Sequence, residues 1–420
     1  MHRIETLFLT DMESQKHNEY MTLALKLAFG KLGVTSPNPA VGAVIVKDDT
    51  ILATGSTQAC GLDHAEVVAL KNATGNLAGA TMYVTLEPCC HWGKTPPCTD
   101  AIIKSGIAKV IIPALDPNPA VAGKGVRALQ QAGIEVIFLR EFSQPAIDLL
   151  RPFKKSILRH RPFIIHKAAI SLDGRTATTM GDSKWISSPV SRLLVHRLRA
   201  CADTIIVGKA TVEKDNPALT VRYTDFSQET EKFYKTKQYT AVGYSNSFIN
   251  GLLEAWKTDV THDLKKIVIG VPDKLQNSKL AGDDNAYFFT THKEKDALVK
   301  REDYTIIAKL IDSGRLQFLQ SDSSVDQIHE LLDILHTKGS MIAVLEGGAR
   351  VAGSFFDSGE FDQCMYFYSP MLVGKGKNVI EGKGRQFITE SMLLHDVTSV
   401  FLGHDILVSG YKESYQFEAV

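Results

Sequence analysis

The chain has 420 residues, more than one hydrophobic core usually organises, so two or more domains are expected. Hydrophobic residues make up 44% and charged residues 22%, the profile of a soluble globular protein rather than a disordered one. The 47 basic and 47 acidic residues cancel, which argues against a nucleic-acid or membrane partner and leaves any bound anion to a local site.

Residues 1–16 read as an N-terminal extension. Its apolar patch is short and Glu5, Asp11 and Glu13 lie close by, which fits neither a secretory signal nor a transit peptide, so a cytoplasmic location is expected. Residues 17–32 place Met21, Leu25, Ala28 and Leu32 on one helical face, and the SPNP break follows. AVGAVIVKDDTILATG reads as two strands joined at Asp48-Asp49, HAEVVALKNA as a helix and ATMYVTLEPC as a strand. Helix, strand, helix and strand then follow through CTDAIIKSG, AKVIIPALDP, VRALQQAG and IEVIFL. This alternation predicts an α/β sheet with helices on its faces.

A basic amphipathic stretch precedes a fresh strand at PFIIHKAAISLDGR, so the domain boundary is placed near residues 150–160. The expected domains are 17–150 and 160–420. In the second, LVHRLRACA and DTIIVG read as helix and strand, KKIVIGV as a strand, SVDQIHELLDILHTKG as a helix, SMIAVLEGG as a strand, ARVAGSFFDSG as a helix and FDQCMYFYSPML as a strand. Between Arg222 and Leu264 the chain is polar, rich in Tyr and Lys and poor in periodicity, which predicts a surface excursion.

Three of the six cysteines, Cys89, Cys90 and Cys98, crowd together, which in a large intracellular chain points to metal or catalysis rather than disulfides. His64 opens a helix as His64-Ala65-Glu66, and Cys89 and Cys98 each follow a proline. One imidazole and two thiolates suit one zinc per chain, with a fourth position left for water. Zinc in such a cage acidifies that water, and Glu66 is the carboxylate placed to carry its protons, the pattern of zinc nucleobase deaminases. Those deaminases space the two cysteines as C-x-x-C, whereas here they stand nine positions apart. A structural site closed by Cys90 or His91, and a Cys89–Cys98 disulfide, are the competing readings.

The motifs TSPNPAVGAVIVKD, H-A-E, TLEPCCHWGKTPPC and DPNPAVAGKG, followed by SLDGRTA, SKWISSP and DNPALTVR, together resemble the bifunctional riboflavin-biosynthesis deaminase/reductase family. The resemblance runs from about residue 17 to the end, apart from 223–263. It implies a cytidine-deaminase-like three-layer α/β/α domain followed by a dihydrofolate-reductase-like α/β domain. The first would deaminate a phosphoribosylated diaminopyrimidinone; the second would reduce the ribosyl group of the resulting uracil to ribityl with NADPH. The resemblance makes His64, Cys89 and Cys98 the zinc ligands, Glu66 the proton carrier, and Asn38 and Lys94 substrate contacts. In the second half it assigns Ser183, Arg199, Leu219, Arg222 and Glu346 to the substrate, and Trp185, Thr211 and Asp215 to the cofactor.

These residue types suit those roles: a carboxamide reads both edges of a heterocycle, and guanidinium forks grip phosphates. Asn38 also has a plain alternative as a turn former before Pro39, and Arg199 as a surface arginine. VLEGGARVAGSFF reads as strand, glycine turn and helix, which would turn the N–H groups of Gly347 and Gly348 toward a cofactor phosphate. A histidine common in the family seven residues before the zinc histidine is Thr57 here, so a substrate contact is expected to be lost or taken over by the hydroxyl. A chain with only the reductase half active, and a non-catalytic zinc scaffold, remain as alternatives, and the assembly state is left open between monomer and homo-oligomer.

Overall fold

A computed structural model describes residues 11–222, 227–243, 245–254 and 264–414. The chain divides into two compact units, Met1–Leu158 and Arg159–Val420.

The first unit contains α1 (Asp11–Phe29), β1 (Gly42–Lys47), β2 (Thr50–Ser56), α2 (Ala65–Asn72), β3 (Thr81–Val84), α3 (Cys98–Ser105), β4 (Lys109–Ile112), α4 (Lys124–Gln131), β5 (Glu135–Phe138) and α5 (Ser143–Arg159). Its sheet has the order β2-β1-β3-β4-β5, antiparallel through β2-β1-β3 and parallel from β3 to β5. β1 and β2 meet through Asp48 and Asp49, both at positive φ (48° and 60°), the twist a two-residue hairpin turn requires and that aspartate tolerates.

The period of two along β1 sorts its residues between two cores. Val44 and Val46 pack with Tyr20, Met21 and Ala24 of α1. Ala43 and Ile45 pack with Ala65 and Ala69 of α2, Ile102 of α3, and Val126 and Leu129 of α4. The sheet therefore lies between helices on both faces. At Gly55 a Cβ would stand 2.2 Å from the Ala65 carbonyl oxygen, so only glycine lets the start of α2 sit this close to β2.

The second unit comprises β6 (Phe163–Ser171), β7 (Ala177–Thr178), α6 (Pro189–Ala200), β8 (Thr204–Gly208), α7 (Lys209–Asp215), α8 (Gln228–Lys235), β9 (Tyr239–Gly243), α9 (Ser247–Glu254), β10 (Lys265–Ile269), β11 (Ala286–Thr291), α10 (Lys295–Val299), α11 (Tyr304–Asp312), β12 (Leu316–Leu319), α12 (Ser324–Thr337), β13 (Ile342–Leu345), α13 (Ala349–Asp357), β14 (Gln363–Ser369), β15 (Gly376–Lys377), β16 (His395–Leu402) and β17 (Asp405–Tyr411). Ten strands form one sheet in the order β12-β11-β10-β8-β13-β6-β14-β17-β16-β9. It is parallel from β12 to β14 and antiparallel from β14 onward.

The central strand β8, TIIVG, is buried at every position, as a strand covered on both faces must be. Ile328, Leu331, Leu332 and Leu335 of α12, with Ala352 and Phe355 of α13, pack against Ile164, Ile206, Ile267 and Phe289 of the sheet.

The stretch expected to be a surface excursion is more ordered than that where it is described. α8, β9 and α9 fall within it; residues 223–226, 244 and 255–263 lie outside the described residues. Each helix has only eight residues, too short to print a long periodic signal. Both pack on α6: Tyr234 is buried, donates its hydroxyl to Val190 O at 2.7 Å and lies under the Arg197 guanidinium at 4.2 Å. The same guanidinium donates to the carbonyls of Leu252 and Leu253 at 2.8 and 2.9 Å. β9 adds an edge strand to β16.

Candidate active sites

In the first unit, His64 is the N-cap of α2, Cys89 follows β3, and Cys98 opens α3. The tight β2–α2 packing and the strand end bring these three together. His64 Nδ1 lies 3.6 Å from Cys89 Sγ and 3.3 Å from Cys98 Sγ, and all three donor atoms fall within 4.8 Å of one another. A tetrahedral zinc with bonds of about 2.0–2.3 Å needs ligand separations of about 3.3–3.8 Å. The donor set therefore fits zinc in both chemistry and spacing. Among the described residues, neither Cys90 nor His91 belongs to the donor group, and all six cysteines are free thiols.

Glu66 sits in the first turn of α2 with 4% of its surface exposed. Burial raises its carboxyl to about 7, with the Cys89 charge adding to the shift. Hydrogen bonding between the two sulfurs favours the Cys89 thiolate and pushes the Cys98 thiol upward. The Cys98 N–H also donates to Cys89 Sγ at 3.4 Å, so a helix N-terminus faces the thiolate.

Asn38 is half-buried on the turn before β1, where its carbonyl accepts from Thr35 Oγ1 at 3.0 Å and its carboxamide bonds to no described residue. Lys94 is exposed, its ammonium 3.4 Å from Cys60 Sγ. The Thr57 hydroxyl is buried and accepts from Val41 N at 3.2 Å, fixing the backbone beyond Asn38.

Glu87 of the TLEP motif escaped the sequence reading. Its buried carboxylate accepts the N–H groups of Asp116 and Gly123 (3.1 and 2.9 Å) and of Val126 (3.1 Å), so it organises the DPNPAVAGKG loop. Gly125 completes that latch, because a Cβ there would stand 2.1 Å from Pro88 O. The joint presence of the two motifs was the signal available.

In the second unit the C-terminal ends of the adjacent parallel strands β8 and β13 carry α7 and the Glu346-Gly347-Gly348 turn into α13. Ligands of open α/β sheets settle at such strand ends. Arg199 grips Glu346 with two hydrogen bonds, Nε to Oε1 at 2.7 Å and Nη2 to Oε2 at 2.9 Å. Burial alone would raise Glu346, yet the charges of Arg199 and Lys167 outweigh it and hold the carboxyl at about 2. Arg199 Nη1 also donates to Thr220 O at 3.2 Å, and the Arg222 N–H donates to His196 Nδ1 at 3.1 Å. The TVR stretch beyond Leu219, itself at φ 52°, is thus fixed to α6.

Gly348, the N-cap of α13, has no side-chain cap, and a Cβ there would be 3.7 Å from Thr211 Oγ1. The uncapped turn beside Thr211 suits a phosphate-bearing cofactor. Ser183, Trp185 and Asp215 make no hydrogen bond or ion pair with the Arg199–Glu346 cluster. Ser183 closes a turn through its carbonyl to Ile186 N at 3.1 Å, Trp185 is exposed, and Asp215 ends α7. Lys167, with Nζ 3.7 Å from Glu346 Oε2, was missed, although a lysine inside the apolar run FIIHKAAI was a readable anomaly. Burial lowers its ammonium, and Glu346 opposes that shift.

Comparison with known proteins finds relatives of both units. The profile described as RibD C-terminal domain matches residues 162–408, and that of the cytidine and deoxycytidylate deaminase zinc-binding region matches residues 14–114. The riboflavin biosynthesis protein RibD of Aquifex aeolicus is 36% identical over 389 residues, covering 93% of this chain and 96% of its own. That of Bacillus amyloliquefaciens is 38% identical over 394 residues, covering 92% and 94%. The crystal structure of a Thermotoga maritima diaminohydroxyphosphoribosylaminopyrimidine deaminase/5-amino-6-(5-phosphoribosylamino)uracil reductase superposes with a TM-score of 0.73 at 31% identity, covering 95% of this chain and 99% of the other. Among the described residues no helix is long and apolar enough to cross a membrane. With a cytidine-deaminase-like fold in the first unit and a reductase fold in the second, the chain belongs to the RibD family of riboflavin biosynthesis proteins.

Proposed function

We propose that residues 17–150 hydrolyse the amino group of 2,5-diamino-6-ribosylamino-pyrimidinone 5′-phosphate, and that residues 160–420 then reduce the ribosyl group of 5-amino-6-(5-phosphoribosylamino)uracil to ribityl with NADPH. The chain is a bifunctional deaminase and reductase of riboflavin biosynthesis. The observation that carries the first half is the three-donor set of His64, Cys89 and Cys98 with Glu66 buried beside it.

When bound, zinc supplies the Lewis acidity that activates water for attack on the amino-bearing ring carbon. Glu66 takes a proton from that water at its carboxylate and returns one to the departing nitrogen, so that water and substrate leave as carbonyl product and ammonia. A carboxyl whose affinity for protons burial has lifted toward neutrality is suited to both transfers. Asn38 reads the heterocycle and Lys94 meets the phosphate.

In the reductase, NADPH supplies the hydride and the protein supplies position. Ser183, Arg199, Leu219, Arg222 and Glu346 hold the substrate; Trp185, Thr211, Asp215, Gly347 and Gly348 hold the cofactor. One zinc per chain and a cytoplasmic location belong to the same reading. The test is to supply the diaminopyrimidine phosphate with and without NADPH and identify both products. Ammonia and the uracil should form in either case, and the ribityl compound only with NADPH. Absence of ammonia would sink the deaminase assignment.

A further inference from the structure

Trp185 stands 67% exposed on the loop between β7 and α6. An indole so placed would ordinarily sample several rotamers. Here one ring face is covered, because the Arg192 guanidinium carbon lies 4.4 Å from the ring centroid. Arg192 is itself tethered at the first turn of α6, where Nη1 donates to Ser187 O at 2.7 Å. Asp405, buried at the start of β17, accepts Ser188 N at 2.7 Å and Ser191 Oγ at 2.5 Å; burial lowers the Arg192 guanidinium, and the Asp405 carboxylate opposes that shift. Loop, cation and helix start therefore form one assembly, and among the described residues no second cation or aromatic ring stacks on the indole.

We propose that Arg192 is a positioning residue that holds Trp185 as a flat stacking wall for a planar ring of the nicotinamide dinucleotide. The inference rests on the reading of Trp185 as a cofactor contact. A guanidinium on one face keeps the ring from turning, so less freedom is lost when a planar group stacks on the other. Arg192 reaches the cofactor only through the indole.

The test is calorimetric titration of the full-length protein with NADP+, which binds without reacting. Arg192→Met should weaken binding about three- to tenfold, and Arg192→Lys, which keeps a cation above the ring, should recover most of it. KM for NADPH should rise in step while kcat stays level. In a Trp185→Ala background, Arg192→Met should add less than about a twofold loss, because its only route to the cofactor is gone. Independent, multiplying losses would overturn the proposal by showing that Arg192 meets the dinucleotide directly. Weakened binding in Trp185→Ala with none in Arg192→Met would overturn it while sparing the cofactor reading of Trp185. Wild-type affinity in Trp185→Ala would remove that reading and the inference with it.

Discussion

The two units draw their sites from the chain in opposite ways. In the first, the three proposed metal donors and the proposed proton carrier lie between His64 and Cys98, on the starts of two helices and the stretch after one strand. In the second, Lys167, Arg199 and Glu346 come from β6, α6 and the end of β13, and only the sheet order β8-β13-β6 brings them together. A local site survives as a motif, whereas a nonlocal one survives only as scattered residues whose meaning depends on topology.

The sharpest break between the halves is expected from Glu66→Gln. It should lower deamination by about 10²–10⁴-fold, the usual share of a general acid/base, while zinc content and NADPH oxidation on the uracil substrate stay unchanged. Ammonia release, metal analysis and absorbance of NADPH read the three quantities. Loss of reduction as well would show that the sites are not independent.

Arg199→Met should act on the other half. It leaves the buried Glu346 carboxylate with only the more distant Lys167, so the second unit should lose about 3–5 kcal/mol, read as a fall of one thermal transition while the other holds. A shift in both transitions would mean that the units unfold together.

A pH dependence of stability is expected in the second unit. His166 is buried, stacked on Phe361 at 4.6 Å and hydrogen-bonded through Nδ1 to Tyr366 Oη at 2.9 Å; burial, then the Lys167 charge, lowers it to about 3. Below its ordinary value of 6.5 the unfolded chain takes a proton that the folded one refuses. Stability present above pH 6.5 should therefore drain away as pH falls toward 3, at about 1.4 kcal/mol per pH unit. Denaturant titrations at several pH values should show that slope, and His166→Gln should flatten it. The smallest effect is expected from Tyr234→Phe, which removes one hydroxyl donation to Val190 O and should cost about 1 kcal/mol.

The same contrast explains what could be read beforehand. The first unit's alternation of strands and helices, its hairpin at Asp48-Asp49 and its proposed metal donors all rest on residues close in sequence, where period and turn chemistry speak directly. Thr57 was harder: a hydroxyl says nothing about whether it faces a ligand or a backbone, and here it faces Val41. In the second unit β8 and β13 were visible as apolar runs, but Lys167 and His196 acquire their roles only across the sheet and along α6. α8 and α9 were hidden because two turns of helix leave too few repeats to count, and β9 because an edge strand exposed on nearly every residue lacks an apolar rhythm.

That edge strand also bears on what the sheet leaves exposed at its rim. Without β9, β16 would offer its unpaired amides beside Val397 and Phe401, both partly exposed apolar side chains, as a rim on which a foreign strand can grow. β9 covers that rim with a strand of only five residues, ending in Gly243 at φ 96°, where a Cβ would stand 2.6 Å from Val397 O. The five residues of β9 leave a shorter outer edge for a foreign strand than the eight of β16 would.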